Sequence, residues 1–224
     1  MLALATGCGP VVVGSGRVVE EQRPVSPWRT LSVASGIRAE VVRGAPGVTI
    51  TTDDNLQPEV EAFVDGSTLV VRVKPLLDVS SRTGITARVS GDRLEGVAAS
   101  GGSSVTGAAT STTDFHVDAS GGSAVTLTGL DTTELSVDAS GASTVTVSGV
   151  AATLRASASG ASSVDGRGLP VQSASIDGSG ASTLHLNVAS TITGSLSGAS
   201  RLTWTGGATA NVSTSGGSTA MRSN

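Results

Sequence analysis

This chain of 224 residues has few of the residue types on which several protein classes depend. It contains one cysteine (Cys8), no tyrosine, two tryptophans and two phenylalanines, and only 14% of its residues are charged. A single cysteine excludes an intrachain disulfide. The net charge of −4 and the absence of a basic cluster argue against a nucleic-acid partner. The chain has no run of about 18 apolar residues, so no transmembrane helix is predicted.

What the chain does contain is a short Ser-Gly-(Gly/Ala)-Ser phrase, written seven times. The steps between the first serines are 20, 20, 19, 20, 18 and 18 residues. A fixed period of this length is typical of a solenoid, in which each repeat buries its apolar face only when its neighbours cover it. The first serines are Ser100, Ser120, Ser140, Ser159, Ser179, Ser197 and Ser215.

The residues around each phrase alternate between apolar and polar, which indicates strands with one face buried. Five residues after the first serine, for example, stand Val105, Val125, Val145 and Val164. Stacked at about 4.8 Å, such coils turn each apolar column into an internal ladder. We therefore predict an all-β fold, a right-handed parallel β-helix with coils of about 18–20 residues. The glycine after each first serine fits a corner that needs positive φ, and the second serine can bond corner backbone.

The periodicity divides the chain into three predicted parts. Residues 1–10 resemble a lipoprotein signal, residues 11–95 form irregular N-terminal coils or a cap, and residues 96–224 form regular coils. Within the irregular part, Asp65-Gly66-Ser67 predicts a tight turn between two strands. The last residues offer almost no cap, so we expect the C-terminal edge to pair with a second copy, giving a homo-oligomer.

Two resemblances extend this prediction. The run from Ala5 to Cys8 resembles a lipobox, whose cysteine carries a lipid anchor; the alternative is an unmodified cysteine. The segments Gly14–Val19, Ser35–Gly44 and Asp53–Asn55, together with the serine phrases, resemble the putative auto-transporter adhesin head GIN domain family. That resemblance implies an extracytoplasmic β-helical protein of the cell envelope, often lipid-anchored, with no established reaction and no catalytic residues.

One outward face carries the candidate functional residues. Asp118 and Asp138 are expected one coil apart, close enough to share a cation, with Arg155 on the next coil. The alternative is a solvated face of ordinary charge pairs. A second face is rich in serine and threonine. The candidate surface cluster comprises His116, Asp118, Asp138, Arg155 and Asp177.

From these patterns we predict a non-catalytic structural or binding protein, adhesin-like, with flat Ser/Thr-rich faces and an unidentified glycan or protein ligand. The alternative is a carbohydrate-active enzyme that uses the Asp/Arg face. No sequence motif indicates a cofactor, and His116 and His185 lie too far apart to form a zinc site with each other. We therefore predict no catalytic, cofactor or metal residues.

Overall fold

The structure, a computed structural model, describes residues 11–223. Apart from one 3₁₀ turn at Gln57–Glu59, its regular elements are strands. In chain order these are β1 (Val11–Val13), β2 (Val18–Arg23), β3 (Thr30–Val33), β4 (Arg38–Arg43), β5 (Gly47–Asp53), β6 (Val60–Asp65), β7 (Thr68–Val73), β8 (Asp78–Ser80), β9 (Thr86–Gly91), β10 (Gly96–Ala99), β11 (Ser104–Ala108), β12 (Ser111–Ala119), β13 (Ala124–Ala139), β14 (Thr144–Ala158), β15 (Ser163–Gly178), β16 (Thr183–Leu196), β17 (Arg201–Thr205), β18 (Thr209–Thr214) and β19 (Thr219–Arg222).

The predicted stacking of coils is confirmed in the second half of the chain. Val125 lies opposite Val145, and Val145 lies opposite Val164, on parallel neighbouring strands. All three side chains are buried, as an internal ladder requires. Trp204 also points inward, in line with its column. The fold is therefore a β-solenoid of parallel coils, with one continuous apolar core.

The serine-glycine phrase forms the corner of each coil. Gly160, for example, has φ +71°, and a Cβ there would lie 2.5 Å from the carbonyl oxygen of Gly141 on the coil below. The second serine of the phrase is buried in six of the seven copies, and in four of them its hydroxyl turns back on the corner; Ser143 Oγ, for example, donates to the carbonyl of Ser140 at 2.6 Å. Both features of the phrase thus serve the backbone, since the glycine allows close stacking and the hydroxyl satisfies a corner carbonyl.

The coil register shifts at the turn between the two long faces. Gly149 has φ +134° and lies opposite Leu130, where the β13–β14 ladder shifts its register. On the next pair of strands, β14 and β15, the register shifts again, and Ser148 lies opposite Gly168. Counting eight residues from each first serine predicts that Arg167 lies opposite Ser148. That prediction is wrong because a count along the sequence does not detect an irregularity in the ladder.

The N-terminal part is stacked out of chain order. Strand β3 lies between β7 and β10, and β4 lies between β9 and β11, all in parallel register. Antiparallel strands cover this end: β6 pairs with β7, β5 with β9, and β2 with β5. The predicted turn at Asp65-Gly66-Ser67 joins β6 to β7, with Gly66 at φ +61°. One sheet of 17 strands runs through both parts, so the apolar core is shared.

Candidate functional site

The outward positions of strands β12 to β15 form one face, here called the acidic face. Alternation brings every second side chain of each strand to the surface, and the parallel register aligns them from strand to strand. Five carboxylates share this face with one arginine and one histidine. Its members, strand by strand, are Asp114, His116 and Asp118; Glu134, Ser136 and Asp138; Thr153, Arg155 and Ser157; Ser173, Ser175 and Asp177.

Three of the predicted site residues meet at one end of the acidic face. His116 and Asp118 stand two residues apart on β12, and their Nε2 and Oδ2 atoms are 2.8 Å apart. Asp138 lies directly opposite Asp118 on β13. One ligand atom from each of the three residues lies within 4.8 Å of the other two. The side chains of His116 and Asp118 are each 51% exposed, so all of these atoms can reach solvent.

Arg155 lies on the coil after Asp138, as predicted, but its ion pair is with Glu134. The Nε of Arg155 donates to Glu134 Oε1 on the neighbouring strand. Because both side chains are substantially exposed, this pair adds little to stability. Its effect is to satisfy the guanidinium locally, which leaves the carboxylate of Asp138 without that cation.

An open concavity of about 580 Å³ lies along the acidic face beyond Asp138. Arg155 and Asp177 also line it, so the structure brings these predicted residues to one surface depression. Asp177 does not join the histidine cluster, because Ser157 on the intervening strand separates it from Asp138. Instead it accepts a hydrogen bond from Ser195 Oγ at 3.3 Å.

Sequence reasoning missed two carboxylates of this face. Asp114 and Glu134 stand six residues before their first serines and lie opposite each other. The signal was present, since the same period-2 count that selected His116 reaches Asp114 one step earlier. The partner of Arg155, by contrast, depends on the side-chain rotamer that brings it to Glu134.

The second outward face, here called the hydroxyl face, is formed four, six and eight residues after each first serine. It lies on β11, the first halves of β13 to β16, and β17. Its central row reads Thr106, Thr126, Thr146, Asp165, His185 and Thr203.

One charge pair interrupts the hydroxyls. The Arg167 guanidinium, hydrogen-bonded to the carboxylate, lowers the pKa of Asp165 below its usual value. The same pairing raises the pKa of Arg167.

The hydroxyl face continues onto the N-terminal strands, where it becomes concave. Glu40 on β4 lies between Arg88 on β9 and Thr106 on β11. An open depression of about 650 Å³ is lined by these residues together with Glu20 and Arg38. Charges of both signs alternate here, so this depression lacks the excess of carboxylates found on the acidic face.

Cys8, the predicted lipid attachment residue, lies outside the described residues. Among residues 11–223, no helix is long and apolar enough to cross a membrane.

Known structures share this architecture. A putative adhesin from Bacteroides fragilis superimposes with a TM-score of 0.85 at 15% identity, covering 94% of this chain and 98% of that chain. A putative lipid binding protein from Parabacteroides distasonis gives 0.73 at 14% identity, over 96% and 100%. A putative adhesin from Parabacteroides merdae gives 0.66 at 16% identity, over 96% and 99%. At these identities the likeness concerns the fold.

The search of curated proteins found no match. The family model described as putative auto-transporter adhesin, head GIN domain, matches residues 27–208. The match covers the stacked N-terminal coils and the corner phrases, up to the turn that leads into β18. The chain therefore belongs to the putative auto-transporter adhesin, head GIN domain family.

Proposed function

We propose that this protein is a non-catalytic, extracytoplasmic binding protein, adhesin-like, that presents its two long outward faces to a surface glycan or protein. The observation that carries the proposal is the regular alignment of outward side chains along strands of one continuous sheet. Such faces offer many weak polar contacts over a large area, which suits an extended partner. The names of the related structures, adhesin and lipid binding protein, agree with a binding role.

The acidic face is the better candidate for the ligand contact. This face contains an open depression and an excess of carboxylates, and its one arginine, Arg155, is already paired with Glu134. Hydroxyl-rich or basic groups of a partner can bond these carboxylates. The alternative, a carbohydrate-active enzyme, has less support, since catalytic acids and bases usually lie in enclosed clefts and Asp118 is half exposed on an open surface.

A glycan and matrix-protein array tests the binding proposal. The protein is compared with Asp138→Asn/Asp177→Asn on the acidic face and with Thr126→Ala/Thr146→Ala on the hydroxyl face. We expect signals that the acidic-face variant loses and the hydroxyl-face variant keeps. Equal signals from all three proteins would contradict a role for the acidic face, and no signal above background would contradict the binding role itself.

We also propose that Cys8 carries a lipid that tethers the protein to the cell envelope. Mass spectrometry of the native N-terminus tests this directly, and an unprocessed, unacylated Cys8 would reject it. Association of two copies through the edge of β18 and β19 stays a prediction. Light scattering during size-exclusion chromatography tests it, with a monomer over a wide concentration range as the contrary result.

A further inference from the structure

We propose that His116, Asp118 and Asp138 form a binding site for a divalent transition-metal ion of the Zn²⁺ class. One ligand atom from each residue lies within 4.8 Å of the other two. Among residues 11–223 this is the one group of three or more histidine, cysteine or carboxylate side chains that meets this spacing. The site is independent of the proposed binding function, since it needs no partner molecule.

The backbone holds the three ligands in place. His116 and Asp118 alternate with the buried Val117 on β12, so both side chains leave the strand on the same side. Asp138 is the register partner of Asp118 on β13, and the ladder between the two strands is unbroken around it. Two ligands therefore come from one strand and the third from its neighbour at about 4.8 Å.

The distances suit a zinc ion after small side-chain rotations. Zinc bonds of about 2.0–2.1 Å in a tetrahedron place the ligand atoms about 3.3 Å apart. The distance of 2.8 Å between His116 Nε2 and Asp118 Oδ2 is already shorter than this separation. The carboxylate oxygen of Asp138 lies within 4.8 Å of both atoms and has to move only from that distance to about 3.3 Å. The half-exposed side chains are free to make these rotations.

The mixture of ligand types selects the metal. Imidazole nitrogen favours Zn²⁺, Cu²⁺ and Ni²⁺, whereas Ca²⁺ and Mg²⁺ prefer sites made only of oxygen atoms. Three protein ligands leave one position of a tetrahedron open for water or for an oxygen atom of a ligand. Of the three ligands, Asp138 also lines the open depression, so a bound ion would border the surface proposed for partner contact.

The surrounding charges favour a cation. Two carboxylates of the site balance a divalent ion, and Asp114 stands two residues before His116 on the same strand and face. Arg155 does not compete for Asp138, because its guanidinium is bonded to Glu134. Because Arg155 pairs with Glu134, the carboxylate of Asp138 remains available to a metal ion.

The chain provides its own matched control, because it contains only two histidines. His185 lies on the hydroxyl face, opposite Asp165, whose carboxylate is bonded to Arg167. His185 therefore has one carboxylate neighbour, as His116 has in Asp118, but within the described part of the chain it has no second carboxylate equivalent to Asp138. The test uses tag-free full-length protein carrying Cys8→Ser, so that no thiol competes, and titrates it with Zn²⁺ while histidine ring resonances are followed by NMR and heat by calorimetry.

We expect one Zn²⁺ per chain, with the His116 resonances shifted at the first equivalent and those of His185 unmoved. His116→Ala and Asp138→Asn should each weaken binding at least about tenfold, while His185→Ala leaves it unchanged. In metal-free buffer no variant should unfold at a lower midpoint than the parent protein. Zinc binding that persists in His116→Ala, equal shifts of both histidines, or no heat and no shift at millimolar Zn²⁺ would each overturn the proposal. A preference for Ca²⁺ over Zn²⁺ would overturn the assigned metal class.

Discussion

The acidic face and the hydroxyl face are built on the same coils, yet their outward side chains differ in charge. On β12 to β15 the first collects five carboxylates, whereas the central row of the second is mainly threonine over the same coils. Beneath both faces the buried columns are alike, with Leu135 under one and Val145 under the other. The comparison shows that the inward positions determine the solenoid, so the outward positions can diverge and carry function.

The largest expected effect comes from Gly194 in β16, the strand that follows β15 at the edge of the acidic face. Gly194 has φ +137°, and a Cβ there would lie 1.8 Å from the carbonyl oxygen of Ile176. Gly194→Ala should lower the free energy of unfolding by about 3–5 kcal/mol, because backbone strain adds to displacement of the neighbouring strand. Urea unfolding measures the change.

The matched position on the hydroxyl-face side is Gly166. Its φ is not positive, and a Cβ would meet Leu186 Cδ2 at 3.4 Å, which is ordinary contact. Gly166→Ala should therefore raise stability, by about 0.4–1 kcal/mol. If both substitutions changed the free energy of unfolding in the same direction, the explanation of which positions need glycine would be wrong.

The next effect separates inward from outward positions on a single strand. Leu135 is fully buried, while its neighbour Ser136 points out on the acidic face. Leu135→Ala should cost about 2–5 kcal/mol through the cavity that it leaves, and Ser136→Ala should change stability by less than about 0.5 kcal/mol. Thermal unfolding of both variants measures the contrast, and a large loss in Ser136→Ala would contradict the assigned alternation.

A smaller effect separates the two faces by charge. Asp118 and Asp138 lie directly opposite each other, and like charges in that arrangement repel. In metal-free buffer of low ionic strength, Asp138→Asn should raise the free energy of unfolding by about 0.2–1 kcal/mol. High salt should abolish the gain, whereas the hydroxyl-face control Thr146→Ala should show no dependence on salt.

The smallest effect concerns the ion pair within the hydroxyl face. Because Arg167 lowers the pKa of Asp165, the pair stabilises the fold above the unfolded pKa of about 3.9, and this contribution is lost as the pH falls through the lower folded pKa. Arg167→Gln should return the pKa of Asp165 towards its usual value, which NMR titration of the carboxyl carbon measures. An unchanged titration midpoint would show that Arg167 is not the cause.

Much of the fold could be predicted from the sequence because the serine-glycine phrase marks the same position in every coil, so the register of neighbouring coils can be counted from it. The stacking of Val125 on Val145 and the inward position of Trp204 both follow from counting along the period. The counting fails where the ladder shifts, as at Gly149. It also contains no information on the pairing of β3 with β10, since their separation in sequence obeys no period.

The candidate site could be predicted in its positions and not in its contacts. Alternation placed Asp118 and Asp138 on one face and in one register, which the structure confirms. The approach of His116 to Asp118 and the choice of Glu134 by Arg155 depend on side-chain rotamers, which period counting cannot supply.

The position of β3 and β4 between later strands has a consequence for folding. In the sheet, β3 is flanked by β7 and β10, and β4 is flanked by β9 and β11, and all four of these neighbours come later in the chain. The N-terminal coils therefore cannot fold one by one in chain order, because β4 gains its second neighbour only from β11 (Ser104–Ala108). Each coil after β11 can then add to a template whose own coils are already paired.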